Sequence, residues 1–493
     1  MNTDNRMWIS GGEQLEPASV WSEFAGLNRV PRPSKKEEQI RAYLKNWFSE
    51  RAIAFKEDHV GNLLAHKPAS PGMENRVPVV IQAHMDMVCQ QNEGTNHDFD
   101  AEGINMFVES GWVRARGTTL GADNGMGLAM GLAVFADPNA VHPPLELLIT
   151  VDEETGMTGA LGLQEGWVQG KFLLNIDTED DRELTVGCAG GVDVTSTGTY
   201  SSSAVPSGYR GLSLRLRGLT GGHSGMDIHL GRGNANVLSA RILVALEEAA
   251  CALVSEWKGG SLRNAIPREA KAIVAISNSH WDKALQTLTQ LKTELTQEHA
   301  HTDAALVMEW EEVPVPVKSM DPGVQGRLIR AVASAPNGIV RMSPTISGLV
   351  QTSNNVSALH VQPEQATVQC LTRSSVDSEK MATAAALRGQ FALAGLQTEF
   401  AGSYPGWDPA PAGALASLMR TTYVGLFNEE PMVNACHAGL ECGIIGERCP
   451  GMEMISFGPT ITGAHSPDER VKIDSVAKSH AFFVEVLKSV PAA

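Results

Sequence analysis

Histidines and carboxylates recur in this chain at the ends of apolar runs. His84 and Asp86 close the run that begins at Val79, and Asp177 closes Phe172-Leu173-Leu174-Asn175-Ile176. Asp152, Glu153 and Glu154 close Leu147-Leu148-Ile149-Thr150-Val151. Asp123 lies in a glycine-flanked turn, Gly121-Ala122-Asp123-Asn124-Gly125, and a distant His465 lies in Gly463-Ala464-His465-Ser466-Pro467. Carboxylates gathered without a cation repel one another and carry a large desolvation cost. Imidazole and carboxylate together suit zinc, cobalt or manganese. The simplest chemistry for the set is a metal centre, and the count suits two metals. His84 and Asp177 would serve one, Glu154 and His465 the other, with Asp123 between them.

Taken singly, each signal also has a plainer reading. His84 followed by Asp86 suits a strand-end histidine with a capping aspartate, Asp123 a helix N-cap, and Asp177 a turn former. His465 alone suits a structural histidine. Glu153-Glu154 would be a solvated loop, were Asp152 not a third acid beside a buried run. Two adjacent carboxylates face different ways, so one can bind metal while its neighbour takes a proton from water. Asp86 can accept the second ring N–H of His84 and fix its tautomer. His223, in Gly221-Gly222-His223-Ser224-Gly225, can donate to a reacting oxygen or cap a turn. The joint order of the set carries the reading: H-x-D, then D, E-E, D and a distant H.

The elements that must hold these residues follow from periodicity. Continuous apolar runs read as buried parallel strands, and ligands collect beyond the carboxyl ends of such strands. Residues 18–65 read as helix, then strand, with Ser34 and Glu37 in a capping-box pattern. Residues 78–177 alternate strand and helix, including a small-residue helix at 125–137. Beyond Gly187 the texture changes. Leu212 to Leu216 alternate strictly, 234–254 and 280–299 read as amphipathic helices, and 306–310 and 366–372 as strands. After about residue 395 the α/β texture returns, with a helix at 414–427, a strand at 454–458 and a terminal helix from Ser475. The expectation is an α/β protein whose discontinuous catalytic domain (1–186 and 400–493) is interrupted by an inserted α+β domain (187–399).

Bulk properties narrow the function classes. The chain has 493 residues, 43% of them apolar, enough for a large core. With 56 acidic against 39 basic residues the net charge is −17, which argues against nucleic acid and against an anionic membrane surface. The seven cysteines include no C-x-x-C pair and read as reduced thiols of a cytosolic protein. Residues 1–17 hold no apolar signal core, and no run of 18 apolar residues occurs, so a cytoplasmic location without a membrane span is expected.

Nine stretches carry a family resemblance: IQAHMDMV, ARGTTLGADNG, TVDEETGMTGA, LLNIDTED, GCAGG, GLTGGHSGMDIH, LRNAIPREA, HAGLECG and GPTITGAHSPDE. They span residues 81 to 469, and with them the chain resembles the bacterial aminoacyl-histidine dipeptidases, within the di-zinc carboxypeptidase/aminoacylase superfamily. The resemblance implies a di-zinc catalytic domain with an inserted lid and dimerisation domain. It implies hydrolysis of dipeptides with a free C-terminal carboxylate, preferentially Xaa-His such as β-Ala-His. Two Zn2+ per subunit would be held by His84, Asp123, Glu154, Asp177 and His465, with Co2+ or Mn2+ also accepted. Asp86 would orient His84, and Glu153 would be the general base. His223 would reach the active site of the partner in a homodimer. Asn264, Arg373 and Gly439 would hold the substrate, and the Asp123-Asn124 peptide would be cis. One departure is Asp152, where the family pattern has an apolar or hydroxyl residue. Three other classes compete. An aminoacylase or deacylase would share every metal ligand, a silent metal-binding protein would not need Glu153, and a non-metallic glycosidase would not need two histidines.

Overall fold

A computed structural model of the chain describes residues 4–410 and 412–493. The chain forms two compact units. The first takes in the chain up to Gly187, Pro409–Ala435 and Leu440–Ala493; the second is Cys188–Asp408 with Cys436–Gly439. The expected boundaries at 186/187 and 399/400 thus move to 187/188 and 408/409. The second moves because strand Gln397–Tyr404 pairs antiparallel with Gly190–Thr199, which keeps the chain in the second unit past residue 400. The brief return at Cys436–Gly439 had no sequence signal.

The first unit is built on an eight-stranded sheet. Its strands, in chain order, are β1 (Ala54–Glu57), β2 (Leu63–Lys67), β3 (Val79–His84), β4 (Leu145–Thr150), β5 (Phe172–Asn175), β6 (Glu183–Cys188), β7 (Met432–Cys436) and β8 (Glu453–Ser456). They lie in the order β1-β2-β4-β3-β5-β8-β6-β7. β3 is parallel to β4 and β5, and β8 is parallel to β5. Every residue of β3, β4 and β5 is buried, as expected of parallel strands covered on both faces. Helices Ala18–Leu27, Ala122–Ala136 and Ile473–Ser489 supply Trp21, Phe24, Met126, Leu128, Phe483 and Val486 to the core shared with Ile81 and Leu147. Each fully buried side chain of this size contributes about 1.5–3 kcal/mol.

The register levels the strand ends. His84 pairs with Thr150, and Gln82 with Asn175, so His84, the 152–154 acids and Asp177 emerge at one edge. A smaller sheet of the same unit contains the hairpin Ile461–Thr462 with Arg470–Lys472, and its loop carries His465. The expected Ser34–Glu37 capping box does not form. Helix Glu38–Glu50 has Glu37 at its N-cap without a side-chain cap bond, and the Ser34 hydroxyl donates to Asp86 Oδ2 at 2.8 Å.

The second unit is an antiparallel sheet of nine strands, with Tyr209–Arg217, Ala270–Ser277, Leu253–Gly259, Val350–Gln362, Gln365–Ser374 and Gly190–Thr199 along its middle. Helices Ala235–Ala250, Trp281–Glu298, Pro322–Ala333 and Asp377–Leu393 share its core through Leu243, Leu246, Leu288, Leu328, Leu387 and Phe391. Asn234 caps the first of these, its side chain accepting from the N–H groups of Asn236 and Val237. The chain is therefore α/β in its first unit and α+β in its second. Among the described residues, no helix is long and apolar enough to cross a membrane.

Candidate active site

Five residues from five separate stretches meet at the carboxyl edge of the first unit's sheet. His84 Nε2 lies 3.2 Å from Asp123 Oδ1 and 3.6 Å from Asp177 Oδ1. His465 Nε2 lies 3.2 Å from Asp123 Oδ2 and 2.9 Å from Glu154 Oε2. The two oxygens of Asp123 thus face different histidines. The ligand atoms of His84, Asp123 and Asp177 lie within 4.8 Å of one another, as do those of Asp123, Glu154 and His465. Each group offers one imidazole nitrogen and carboxylate oxygens, a donor set that zinc, cobalt and manganese accept. Glu154 Oε1 is buried with no hydrogen-bond partner, a cost that a cation would remove. The residues present fit a metal centre.

The carboxylates of the cluster favour protons on the neighbouring imidazoles. Burial alone would lower the His84 pKa, but Asp123, Asp177 and Asp86 hold it well above the ordinary histidine value. Hydrogen bonds to Asp123 and Glu154 push His465 up to about 11. Asp123 is held well below its usual range, burial being overcome by His465 and His84. Metal entering such a site displaces these imidazolium protons. Glu153 moves the other way. Burial, then Asp177, Glu154 and Glu441, hold it well above an ordinary glutamate against the pull of His84. Its carboxylate comes within 3.9 Å of His84 Nε2 and accepts no hydrogen bond from the described residues.

Asp86 joins these parts. It faces His84 Nδ1 at 3.3 Å, and its oxygens accept the N–H groups of Glu153 at 3.1 Å and Glu154 at 3.3 Å. One carboxylate therefore orients the imidazole and fixes the backbone that presents both glutamates. Asp152 adopts a left-handed φ of 51° and accepts from the Thr155 and Thr158 hydroxyls, shaping the turn before Glu153. The Asp123-Asn124 peptide is cis.

The other sequence-selected residues form a cluster inside the second unit. His223 Nδ1 accepts from the N–H groups of Gly225 (3.2 Å) and Met226 (2.9 Å), which puts the proton of a neutral ring on Nε2. The Asn264 carbonyl accepts the Ser224 N–H at 2.8 Å. Arg373, 5% exposed, donates from Nη1 to the Tyr404 hydroxyl at 2.9 Å and from Nε to Ser224 Oγ at 3.5 Å. No carboxylate among the described residues forms an ion pair with it. Gly439 lies in the short return segment with His437, whose Nε2 meets Ser353 Oγ at 2.7 Å. A Cβ on Gly225 would lie 2.0 Å from the His437 carbonyl oxygen, so only glycine lets that segment lie so close.

A family model described as Peptidase family M20/M25/M40 matches residues 80–489. The chain belongs to this peptidase family. Over 479 residues this M20 peptidase is 44% identical to the cytosol non-specific dipeptidase of Escherichia coli (strain K12), across 97% of this chain and 99% of that protein. It matches the crystal structure of aminoacylhistidine dipeptidase from Vibrio alginolyticus with a TM-score of 0.90 and 43% identity, covering 97% and 98% of the two chains. Aminopeptidase PepT from Bacillus cereus ATCC 10987 shares the fold, with a TM-score of 0.56 at 16% identity over 97% of this chain and 99% of that one. The resemblance read from the nine stretches and the expected α/β peptidase architecture agree with these findings.

Sequence reasoning missed the residues that hold these side chains in place. Glu469, 2% exposed, accepts the backbone N–H groups of Leu120 (2.7 Å), Gly121 (2.9 Å), Ala122 (2.7 Å) and Asp123 (3.2 Å). The buried Arg32 guanidinium grips the opposite side of that turn, donating to Gly121 O at 2.5 Å and to Met85 O and Asp86 O. Gly121 has a left-handed φ of 69°, and a Cβ there would lie 2.5 Å from Arg32 Nη2. Asn124 donates to Ile176 O at 2.6 Å and to Asp177. Beneath the cluster, Gln82 and Thr150 donate to Glu441 Oε2 at 2.6 and 2.7 Å, and burial pushes Glu441 up to about 7. Glu469 and Glu441 fall inside two of the quoted stretches, but no spacing marks them as supports.

Proposed function

We propose that this M20 peptidase hydrolyses dipeptides bearing a free C-terminal carboxylate, with Xaa-His such as β-Ala-His preferred, as a cytoplasmic homodimer carrying two metals per subunit. The observation that carries the metal reading is Asp123, whose two oxygens face two histidine–carboxylate groups. His84 and Asp177 would hold one ion and Glu154 and His465 the other, with Asp123 shared between them. Zn2+, Co2+ and Mn2+ all suit these donors. The buried, carboxylate-free Arg373 supports the substrate end. The cytosol non-specific dipeptidase and the aminoacylhistidine dipeptidase, similar over nearly their whole lengths, support the substrate class and the location. The exposed apolar strand Gly338–Met342, with Ile339, Val340 and Met342 outward, supports a subunit contact in the second unit.

Bound metals supply Lewis acidity toward the scissile carbonyl and bring the pKa of water toward ~7. The remaining work falls to side chains. Glu153, its carboxylate unengaged by any described donor, takes a proton from the attacking water and delivers it to the leaving amine nitrogen. Asp86 keeps His84 in one tautomer and keeps Glu153 and Glu154 in place. His223 donates from Nε2 to the developing oxyanion of the partner subunit's substrate, a contribution of about 3–4 kcal/mol for one such donor. Arg373 and Asn264 hold the terminal carboxylate, and Gly439 lines the pocket. The deciding experiment is a metal analysis paired with a dipeptide panel, with and without chelator. Dipeptide turnover that chelator abolishes and Zn2+, Co2+ or Mn2+ restores is expected. Turnover of acyl-amino acids but not dipeptides would assign a deacylase, and chelator-insensitive turnover would overturn the metal mechanism.

A further inference from the structure

Glu469 spends its whole carboxylate on backbone. Oε2 accepts Leu120 N–H and Gly121 N–H at 2.7 and 2.9 Å, and Oε1 accepts Ala122 N–H and Asp123 N–H at 2.7 and 3.2 Å. The turn's carbonyls are tied separately. Arg32 Nη2 donates to Gly121 O at 2.5 Å, and Asn28 Nδ2 donates to Leu120 O at 2.8 Å. Glu469 itself sits at the end of the loop that carries His465, between strands Ile461–Thr462 and Arg470–Lys472, and its own N–H donates to Ser466 O at 3.0 Å. One buried carboxylate thus joins the loop of His465 to the turn of Asp123.

The two ligand groups are held differently. In the group of His84, Asp123 and Asp177, Asn124 ties the turn to Ile176 O and Asp177, and Asp86 orients His84. In the group of Asp123, Glu154 and His465, Glu154 is fixed through its own N–H to Asp86. His465 is half-exposed, at a left-handed φ of 61°; its side chain meets Asp123 Oδ2 at 3.2 Å, and the backbone of its loop is tied to the Asp123 turn through Glu469. We propose that Glu469 is a positioning residue that sets His465 against Asp123, and so selectively secures the ion shared by Asp123, Glu154 and His465. The inference rests on the two-metal reading above.

Glu469→Gln tests it. The amide keeps size and shape but turns one acceptor oxygen into a donor facing two backbone N–H groups. Metal-stripped full-length protein, wild type and variant, is titrated with Co2+ and followed by calorimetry and by the visible absorption of the bound ion. The wild type should take up two ions. Glu469→Gln should keep the first at wild-type affinity and bind the second about 10–100-fold more weakly, the usual loss when a ligand's support is removed. Two ions at wild-type affinity in the variant, or equal weakening of both, would overturn the proposal. Should the variant not fold, hydrogen exchange on the metal-stripped wild type decides. The amides of residues 120–123 should be protected, and rapid exchange there would overturn the clamp. The underlying reading fails separately. A wild type that binds fewer than two ions, or Glu154→Gln that still binds two tightly, would remove the ligand assignment whatever Glu469 does.

Discussion

Amidating the C-terminus of a dipeptide should lower kcat/KM steeply, and the structure sets the scale. Arg373 is 5% exposed and has no carboxylate partner among the described residues. Tyr404 takes one N–H at 2.9 Å and Ser224 another at 3.5 Å, which leaves the Nη2 pair without an acceptor among the described residues. A carboxylate meets neighbouring guanidinium N–H groups side by side, a geometry a lysine cannot offer. Removing one partner of such a buried pair costs about 3–5 kcal/mol. At 1.36 kcal/mol per tenfold, the expected loss is about two to nearly four orders of magnitude. The assay compares initial rates on β-Ala-His and its C-terminal amide, for wild type and Arg373→Gln, with metal saturating. Arg373→Gln should slow the free acid to near the amide rate and leave the amide rate almost unchanged. Equal wild-type rates on acid and amide would refute the clamp, as would a variant that slows both alike.

Glu153→Gln should retain wild-type metal content while turnover falls about 10²–10⁴-fold, the usual worth of a positioned base. Glu154→Gln should instead lower metal occupancy, and metal analysis on the assayed samples would expose exchanged roles. Co-expressed His223→Ala and Glu153→Gln chains should regain activity in mixed dimers, because one site then has both an intact base and an intact partner histidine. Proven mixed dimers without activity would place His223 in its own chain's site or outside catalysis. Burial, then the charges of Arg373 and His223, push His437 down to about 3 from the ordinary 6.5. The unfolded chain therefore takes up that proton first, and stability is lost as pH falls from about 6.5 toward 3. In urea unfolding, His437→Gln should gain on wild type across that window, and a constant difference would dismiss the effect.

Much of the first unit was legible because its signals are local. Buried parallel strands announce themselves as unbroken apolar runs, and the acids at their tips stand out against them. His84, Asp177 and the 152–154 acids could therefore be placed from sequence. Supports that act across long separations were not legible. Glu469 reaches the turn of Asp123 from the far end of the chain, and Arg32 reaches it from the other. Neither breaks a periodic pattern, and a lone buried Glu or Arg looks like a surface residue until its partners are in place. Ser34 misled for the opposite reason. Its spacing to Glu37 matches a helix cap, but Asp86 offered its hydroxyl a charged acceptor, and a bond to a carboxylate outweighs a cap. The boundary expected at 399/400 missed because strand Gln397–Tyr404 looks like its neighbours, and its sheet membership depends on pairing with residues some two hundred positions earlier.

The strand order bears on how the protein is made. β8, Glu453–Ser456, lies between β5 and β6 inside the first unit's sheet, yet it emerges after every other strand of that sheet. The nascent chain holds β5 and β6 long before the strand that joins them exists. The second unit waits too, because Cys436–Gly439, which brings His437 to Ser353, emerges well after its last sheet strand. Neither unit can finish during synthesis in the usual N-to-C succession of domains. Completion of both waits until residues 436–456 have emerged, and a chain truncated before residue 436 would leave both unfinished. Neither unit can be expressed alone as one continuous segment.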